Sequence, residues 1–424
     1  SSSMYFAVAG QALAAESTAC HYSTAELKQI LGAGFSAMLA DASPAASSKD
    51  ANGVAGPTAR CESNLLVINA SGTSTPITLK LGIPTASVRD QYPFSGLAGY
   101  YNRIKGVRLN ADGSVASLEF PVAGLRLAVD EWVGVQGRYA VFLVLAPGAT
   151  LRLDNQELTL RWLEQGSAPV HIFLGQAGMR HAPGSGQQSF AALRYAHLWN
   201  WLATLCLGIE KLLSLLYGSL TASWGAAIIM LAVTLKLLLL PVSLYTAKAQ
   251  ANVNRLQAQL QPKLSAIKAN YEGAEAHARV MAEHKSLGIT PFFALRPLPG
   301  TIIQLPVLVA TFNVLGEMPQ LQGEAFLWIN DLAYPDTVAL LPFTVPAMGG
   351  GLNLLPFIMT LVSLLATVTF SAPHLSTADT RRQKRNLYLL SAAFFLLFYP
   401  FPAAMVLYWT CNNVLQIIQQ RVLR

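Results

Sequence analysis

The chain has 424 residues, of which 53% are hydrophobic and only 12% charged, half the roughly 25% of an ordinary soluble domain. Its +7 charge is unevenly spread: residues 1–195 carry 14 Lys+Arg against 13 Asp+Glu, and residues 196–424 carry 15 against 9. The composition excludes a purely soluble chain. The basic excess, lying in the apolar half without Arg/Lys-aromatic interleaving, reads as membrane topology and argues against nucleic-acid specificity.

The first twenty residues read as a signal or anchor remnant. Met4 to Ala15 is a short small-apolar run, and Ala12-Leu13-Ala14 resembles a signal-peptidase site, but no basic segment precedes it. Either a signal has been trimmed or an upstream anchor lies outside this chain.

Residues 21–193 have the texture of an extracytoplasmic β-sandwich. Ile77, Leu79 and Leu81 alternate with Thr78 and Lys80, and Leu158 and Leu160 alternate with Thr159 and Arg161. Period two with Gly, Pro, Asn and Asp punctuation, such as Asp112-Gly113, predicts antiparallel strands. Cys20 and Cys61 are the only cysteines of the N-terminal half, and outside the cell they are free to pair. Closing that loop of about 40 residues contributes roughly 4 kcal/mol on the chain-entropy model; two unpaired thiols are the alternative. Cys206 and Cys411 fall in apolar helical segments and read as packing residues. Residues 194–222, with Trp199, Trp201 and the Glu210-Lys211 pair among leucines, suit an amphipathic helix lying at the interface better than a further span.

Five spans are predicted within 223–424, near 224–244, 298–316, 353–371, 386–400 and 402–420. The first contains Lys236 as its single basic residue. A cation there is costly in lipid, by roughly 2.5–3.5 kcal/mol, and marks a functional site unless its stem snorkels to the headgroups. Residues 246–297 follow as a basic helical hairpin, with Val253, Leu256, Leu260, Leu264 and Ile267 forming one apolar stripe and Gly273 permitting the turn. The stretch 372–385 is also basic, with Arg381, Arg382, Lys384 and Arg385, whereas 317–353 has no Lys or Arg. That alternation places the N-terminal domain outside and the C-terminus in the cytoplasm. Two prolines in Tyr399-Pro400-Phe401-Pro402 break the last apolar stretch into a tight hairpin; one long bent helix is the competing reading.

No GxGxxG, Walker loop, HExxH or GxSxG is present, and none of the five spans contains Asp or Glu. A proton-coupled pump is thereby disfavoured, no cofactor is implied, and the chain does not read as an enzyme. His277 and His284 lie seven apart without Cys or converging carboxylates, a poor metal set.

Several short motifs follow one another in order. They are Trp224-Gly225, Lys236 with Pro241, Leu260-Gln261-Pro262-Lys263, Gln304-Leu305-Pro306 and Leu327-Trp328-Ile329-Asn330-Asp331-Leu332. Phe401-Pro402, Leu407-Tyr408-Trp409, Asn412-Asn413 and Ile417-Ile418-Gln419-Gln420 complete the set. From Trp224 onward the sequence resembles the YidC/Oxa1/Alb3 membrane protein insertases. The outer domain is similar to a reduced form of the β-domain of Gram-negative members, most clearly at Trp132-Val133-Gly134-Val135-Gln136.

The resemblance implies a polytopic five-helix core around a water-filled groove, open to cytoplasm and lipid and closed to the outside, in a bacterial inner membrane. It implies an insertase and chaperone for small membrane proteins, working without nucleotide hydrolysis on nascent substrates in the bilayer, with ribosome and Sec-type translocon as further partners. The groove cation of the family, usually Arg, corresponds to Lys236; a hydroxyl residue one turn earlier is replaced by Ala232, with Thr234 two residues before the cation. Gln304, Asn412 and Gln416 are expected to line the groove, or else to hydrogen-bond between helices, and Tyr408 and Trp409 to line the substrate exit or anchor the last helix by packing. The long basic tail that aids ribosome docking in some members has no counterpart up to Arg424. These departures leave a second reading open, a degenerate homologue serving as structural subunit or assembly factor of a membrane complex.

Overall fold

A computed structural model describes residues 58–62, 65–69, 78–83, 92, 94–153, 157–161, 169–176, 190–290, 292–346, 348–369 and 377–422. The expectations for residues 1–20 and for a Cys20–Cys61 bond lie outside the described residues. The chain divides into two compact units near Leu207 and Gly208.

The first unit is built from antiparallel strands, as the period-two patterning predicts. They are β1 (Thr58–Glu62), β2 (Leu65–Asn69), β3 (Thr78–Gly82), β4 (Lys105–Leu109), β5 (Val115–Leu118) and β6 (Val122–Arg126). There follow β7 (Trp132–Gln136), β8 (Ala140–Leu145), β9 (Thr150–Leu153), β10 (Glu157–Arg161) and β11 (Val170–Gln176). One sheet has the order β1-β2-β11-β8-β7-β4-β5 and the other β3-β10-β9-β6. The two alternating segments read from the sequence pair with each other, Leu81 opposite Leu158 and Leu79 opposite Leu160.

Leu81, Leu151, Leu153, Leu158 and Leu160 of the smaller sheet share one buried cluster with Leu66, Val133, Val135, Phe142, Val144 and Ile172 of the larger. Burying each such side chain is worth roughly 1.5–3 kcal/mol, which makes this shared layer the main support of the sandwich. Two motif glycines have separate reasons. Gly113 turns the β4–β5 hairpin at φ +80°, beside Asp112, whose carboxylate accepts from the Ser114 backbone N–H (2.8 Å) and hydroxyl (2.6 Å). Those bonds hold the Asp112 carboxyl below the usual range. A Cβ on Gly134 would collide with the Phe142 carbonyl oxygen, so only glycine lets β7 lie against β8 at this point.

The second unit is helical. Its elements include α1 (Asn200–Ser219), which begins in the first unit, α2 (Trp224–Leu238), α3 (Leu240–Asn270), α4 (Gly273–Ser286) and α5 (Leu298–Glu317). A two-stranded ribbon, β12 (Thr337–Val345) and β13 (Gly349–Asn353), then precedes α6 (Leu355–Thr369), α7 (Thr377–Phe398) and α8 (Ala403–Val422). Helix α8 packs on both α2 and α6, and α7 packs on α6.

Two features differ from the sequence reading. The first expected span, 224–244, is not one helix: it breaks at Leu239, and α3 leaves at 60° to α2. Pro241 sits in the first turn of α3, where its missing N–H costs nothing, whereas continuing α2 through it would lose a hydrogen bond and clash with the carbonyl four residues back. Lys236 thus falls in the last turn of α2, at the helix end whose dipole favours a cation. The second difference is the ribbon β12–β13 inside the Lys/Arg-free loop, an element the sequence reading does not contain. Helix α1 is long and apolar enough to cross a membrane as well as to lie along it.

Candidate functional site

Helices α2, α3, α5 and α8 surround a cavity of about 290 Å³. Its lining includes Lys236, Gln304, Tyr408, Trp409, Asn412 and Gln416, all six of the groove residues expected from sequence. Leu235, Leu239, Leu305, Val307 and Leu308 supply most of the apolar wall, and Ser243 and Asn413 add two polar groups. Tyr408, Asn412 and Gln416 recur every four residues, so one face of α8 presents a column of polar atoms to the cavity.

The Lys236 ammonium donates to Gln416 Oε1 at 2.5 Å. Gln416 is neutral, so this bond orients the cation across the α2–α8 contact without cancelling its charge. Asn412 donates back to the Tyr408 carbonyl at 3.2 Å, within its own helix. Asn413 bridges helices instead, donating to Ser363 Oγ of α6 at 3.0 Å, and Gln419 donates to Ser243 Oγ of α3 at 2.8 Å. The hydroxyls of Thr234, Thr311 and Thr410 bond their own helices' carbonyls four residues back. The threonines and Asn412 thus bond within their own helices, and Asn413 and Gln419 tie helices together. The Lys236–Gln416 pair both bridges α2 to α8 and lines the cavity with Gln304.

Tyr408 is buried, 4% exposed, and Trp409 lies 5.1 Å from both Phe394 and Phe398, with Phe312 at 5.7 Å. The aromatic pair is thus part of the packing between α5, α7 and α8 as well as of the cavity wall. Sequence reasoning misses Asn413 and Ser243 as lining residues. Asn413 follows Asn412 directly and carries no spacing signal of its own, and Ser243 lies beyond the bend that brings α3 back toward α8.

The Lys/Arg-free loop closes over the opposite ends of the helices. Asp331 accepts from the backbone N–H of Gly323 (2.9 Å) and Ala333 (2.8 Å), fixing the turn that holds Trp328. Asp336 accepts from the Leu355 N–H at 2.6 Å, capping α6, and from the Trp328 indole at 3.1 Å. The first N–H groups of α8, on Ala403 and Ala404, donate to the Tyr334 and Leu332 carbonyls. Asn353 donates to the Tyr399 carbonyl at 2.7 Å, and the Tyr399 hydroxyl donates to the Gly351 carbonyl at 2.9 Å. Phe326 packs on α2 so tightly that a Cβ on Gly225 would overlap its ring. The Trp224-Gly225, Leu327–Leu332 and Tyr399–Pro402 motifs are in this way one connected structure.

Residues 215–424 match the family model of the 60Kd inner membrane protein. The chain belongs to the YidC/Oxa1 family of membrane protein insertases. The family is not one of enzymes. The membrane protein insertase YidC of Treponema denticola is 25% identical over 377 residues, 81% of this chain and 61% of that protein. Those of Syntrophobacter fumaroxidans and Chloroherpeton thalassium are 30% and 31% identical over 203 and 202 residues, each 47% of this chain and 34% and 32% of the respective relatives. The chain spans between a third and three fifths of the length of these relatives. As an inner membrane protein it has suitable helices: among the described residues, α1 and the segment Phe293–Glu317 are long and apolar enough to cross, and α2 with α3 forms a bent apolar pair, a broken span or a re-entrant loop.

Proposed function

We propose that this chain is a membrane protein insertase and chaperone that passes small membrane proteins along the Lys236 cavity, acting as a hydrated groove open to cytoplasm and lipid. The observation that carries the reading is the meeting of Lys236, Gln304 and Gln416 in one cavity of a family member. The basic stretches at 246–297 and 372–385 and the Lys/Arg-free 317–353 support a periplasmic N-terminal domain and a cytoplasmic C-terminus. We propose the matching division as well: an outer domain to 193, an interfacial segment 194–222 and a five-span core 223–424 containing the hairpin.

A substrate's outer tail must carry polar backbone and carboxylates through a layer where each unsatisfied group costs several kcal/mol. A wet groove shortens that layer, and the fixed ammonium attracts a passing carboxylate by about 4 kcal/mol at 4 Å in partly hydrated surroundings. The apolar part of the substrate then leaves for lipid, gaining about 0.8 kcal/mol per buried CH₂. Nascent chains are the substrates on this reading, delivered from ribosomes directly or with a Sec-type translocon.

The test is insertion efficiency for paired substrates that differ only in tail charge, at matched insertase abundance. Lys236→Arg should retain activity and Lys236→Ala should lose a few-fold. Lys236→Glu should lose on the order of tenfold for acidic tails, equivalent to about 1.4 kcal/mol, and much less for neutral ones. Equal behaviour of the charge-reversed protein toward both tails would remove Lys236 from the mechanism. Normal insertion together with loss of a single membrane complex on depletion would instead indicate a structural subunit.

A further inference from the structure

We propose that the β12–β13 ribbon is a lipid-contacting element, seated in the bilayer interface at the Lys/Arg-free ends of the helices. Residues 337–353 contain no charged side chain. Val338 is 49% exposed, Leu340 85% and Phe343 60%, and Leu352 and Leu354 continue the apolar surface. Residues 338–340 and again 342–344 are exposed, so apolar groups emerge from both faces of the ribbon. A two-stranded ribbon is marginal in water, and one with apolar side chains on both faces is worse; Ser95 lies against its turn at Gly349 and leaves Val338, Leu340 and Phe343 exposed.

A protein partner docking on one face would leave the other in water, whereas lipid covers both. Continuity with a lipid-facing surface favours the same occupant: Phe357, Leu361, Leu365 and Val368 of α6 are all exposed and follow at steps of four, four and three, one apolar face leading away from the ribbon's base. The base is fixed at the membrane boundary. The Thr337 hydroxyl donates to Asn353 Oδ1 at 2.7 Å, Asn353 is held by Tyr399, and Asp336 caps α6 two residues beyond. The outer edges of a two-stranded ribbon carry unpaired backbone groups, which bars it from the hydrocarbon centre. Its place is the glycerol and upper acyl level, where water and ester oxygens reach those edges and the side chains of Leu340 and Phe343 reach hydrocarbon.

The inference rests on membrane residence and not on insertase activity, so the test reads depth alone. The full chain in phospholipid nanodiscs would carry Leu340→Trp, Phe343→Trp or, as a control in the same loop, Asn330→Trp, each compared with the parent protein. All three positions are on the surface, so the substitutions disturb no packing. For the first two, the added emission should be quenched at least twofold more by phospholipids brominated high on the acyl chain than by aqueous acrylamide, and for the control the order should reverse. Quenching of the tryptophan at either ribbon position by acrylamide alone would show a water-exposed ribbon and overturn the proposal. Quenching by neither would show a ribbon covered by protein, and would overturn it equally.

Discussion

Two connections of the helical half, the loop after α5 and the α3–α4 hairpin, are held in opposite ways. The loop 317–354 is tied by buried polar groups: Asp336 is 5% exposed and Asn353 3%, and both bond backbone at the ends of helices. The basic hairpin of α3 and α4 is tied by surface charges. Lys263 meets Glu283 at 2.8 Å and Arg279 meets Glu275 at 3.0 Å, with all four side chains substantially exposed. The Arg279 guanidinium lies 3.8 Å over the Tyr271 ring. The stripe Val253–Ile267 has only Val253 and Leu260 fully buried. Buried, fully partnered polar groups fix one geometry, while exposed ion pairs contribute little to stability. The difference teaches which side of the helices is built to stay shut and which to open at low cost, the asymmetry that the proposed groove, entered from the cytoplasm, would require.

The sharpest way to break that contrast is to prise the closed side open. Gly225→Val would drive two methyl groups into the Phe326 ring, and the contact falls at the ring's base and not at a flexible tip. Overpacking of this kind costs about 3 kcal/mol. Thermal unfolding of the full chain should register a Tm drop of several degrees, whereas a shift within error would mean that the loop does not bear on α2 as described. Asp336→Ala comes next. It removes the acceptor of the buried Leu355 N–H and of the Trp328 indole, and the indole, 39% exposed, can find water while the backbone group cannot. One stranded donor costs about 2 kcal/mol. Lys263→Ala on the open side should leave the Tm unchanged.

Much of this arrangement is legible in the sequence, for identifiable reasons. Period-two alternation at 77–81 and 158–160 locates paired strands because each side of a sandwich sheet meets a different solvent. The stripe at Val253, Leu256 and Leu260 locates α3, and the four-residue spacing of Tyr408, Asn412 and Gln416 puts three site residues on one face. The bend at Leu239 is less legible because the run Ala226–Tyr245 is apolar almost throughout, so hydropathy passes over Pro241 without interruption. The ribbon is hidden for a related reason. Residues 337–345 are largely apolar where alternation would have announced a strand, and an element exposed on both faces has no alternating environment to impose one.

The smallest predicted effect separates the two connections by the sign of a pH response. Burial pushes the Asp336 carboxyl up from its ordinary value, more than the bonds from Trp328 and Leu355 pull it down. Its folded value is therefore above the unfolded one, so the stability it contributes is full below the ordinary carboxylate range and is lost as pH rises through the folded value. Glu283 is the reverse: the hydrogen bond from Lys263, with the charge of that ammonium, holds its carboxyl down. Its contribution is present above the ordinary range and is lost as pH falls through the lowered value. Acidification from neutrality should accordingly loosen the α3–α4 hairpin while leaving the 317–354 loop unchanged or firmer. Amide exchange of the intact protein, corrected for the intrinsic pH dependence of exchange, reads both segments in one experiment. Protection at Val280–Ser286 should fall as pH drops below about 4, the ordinary carboxylate range, and protection at Leu355 and its neighbours should not. Loosening of both segments together would show that one cooperative unit spans them, and that the division into a closed and an open side has no energetic content.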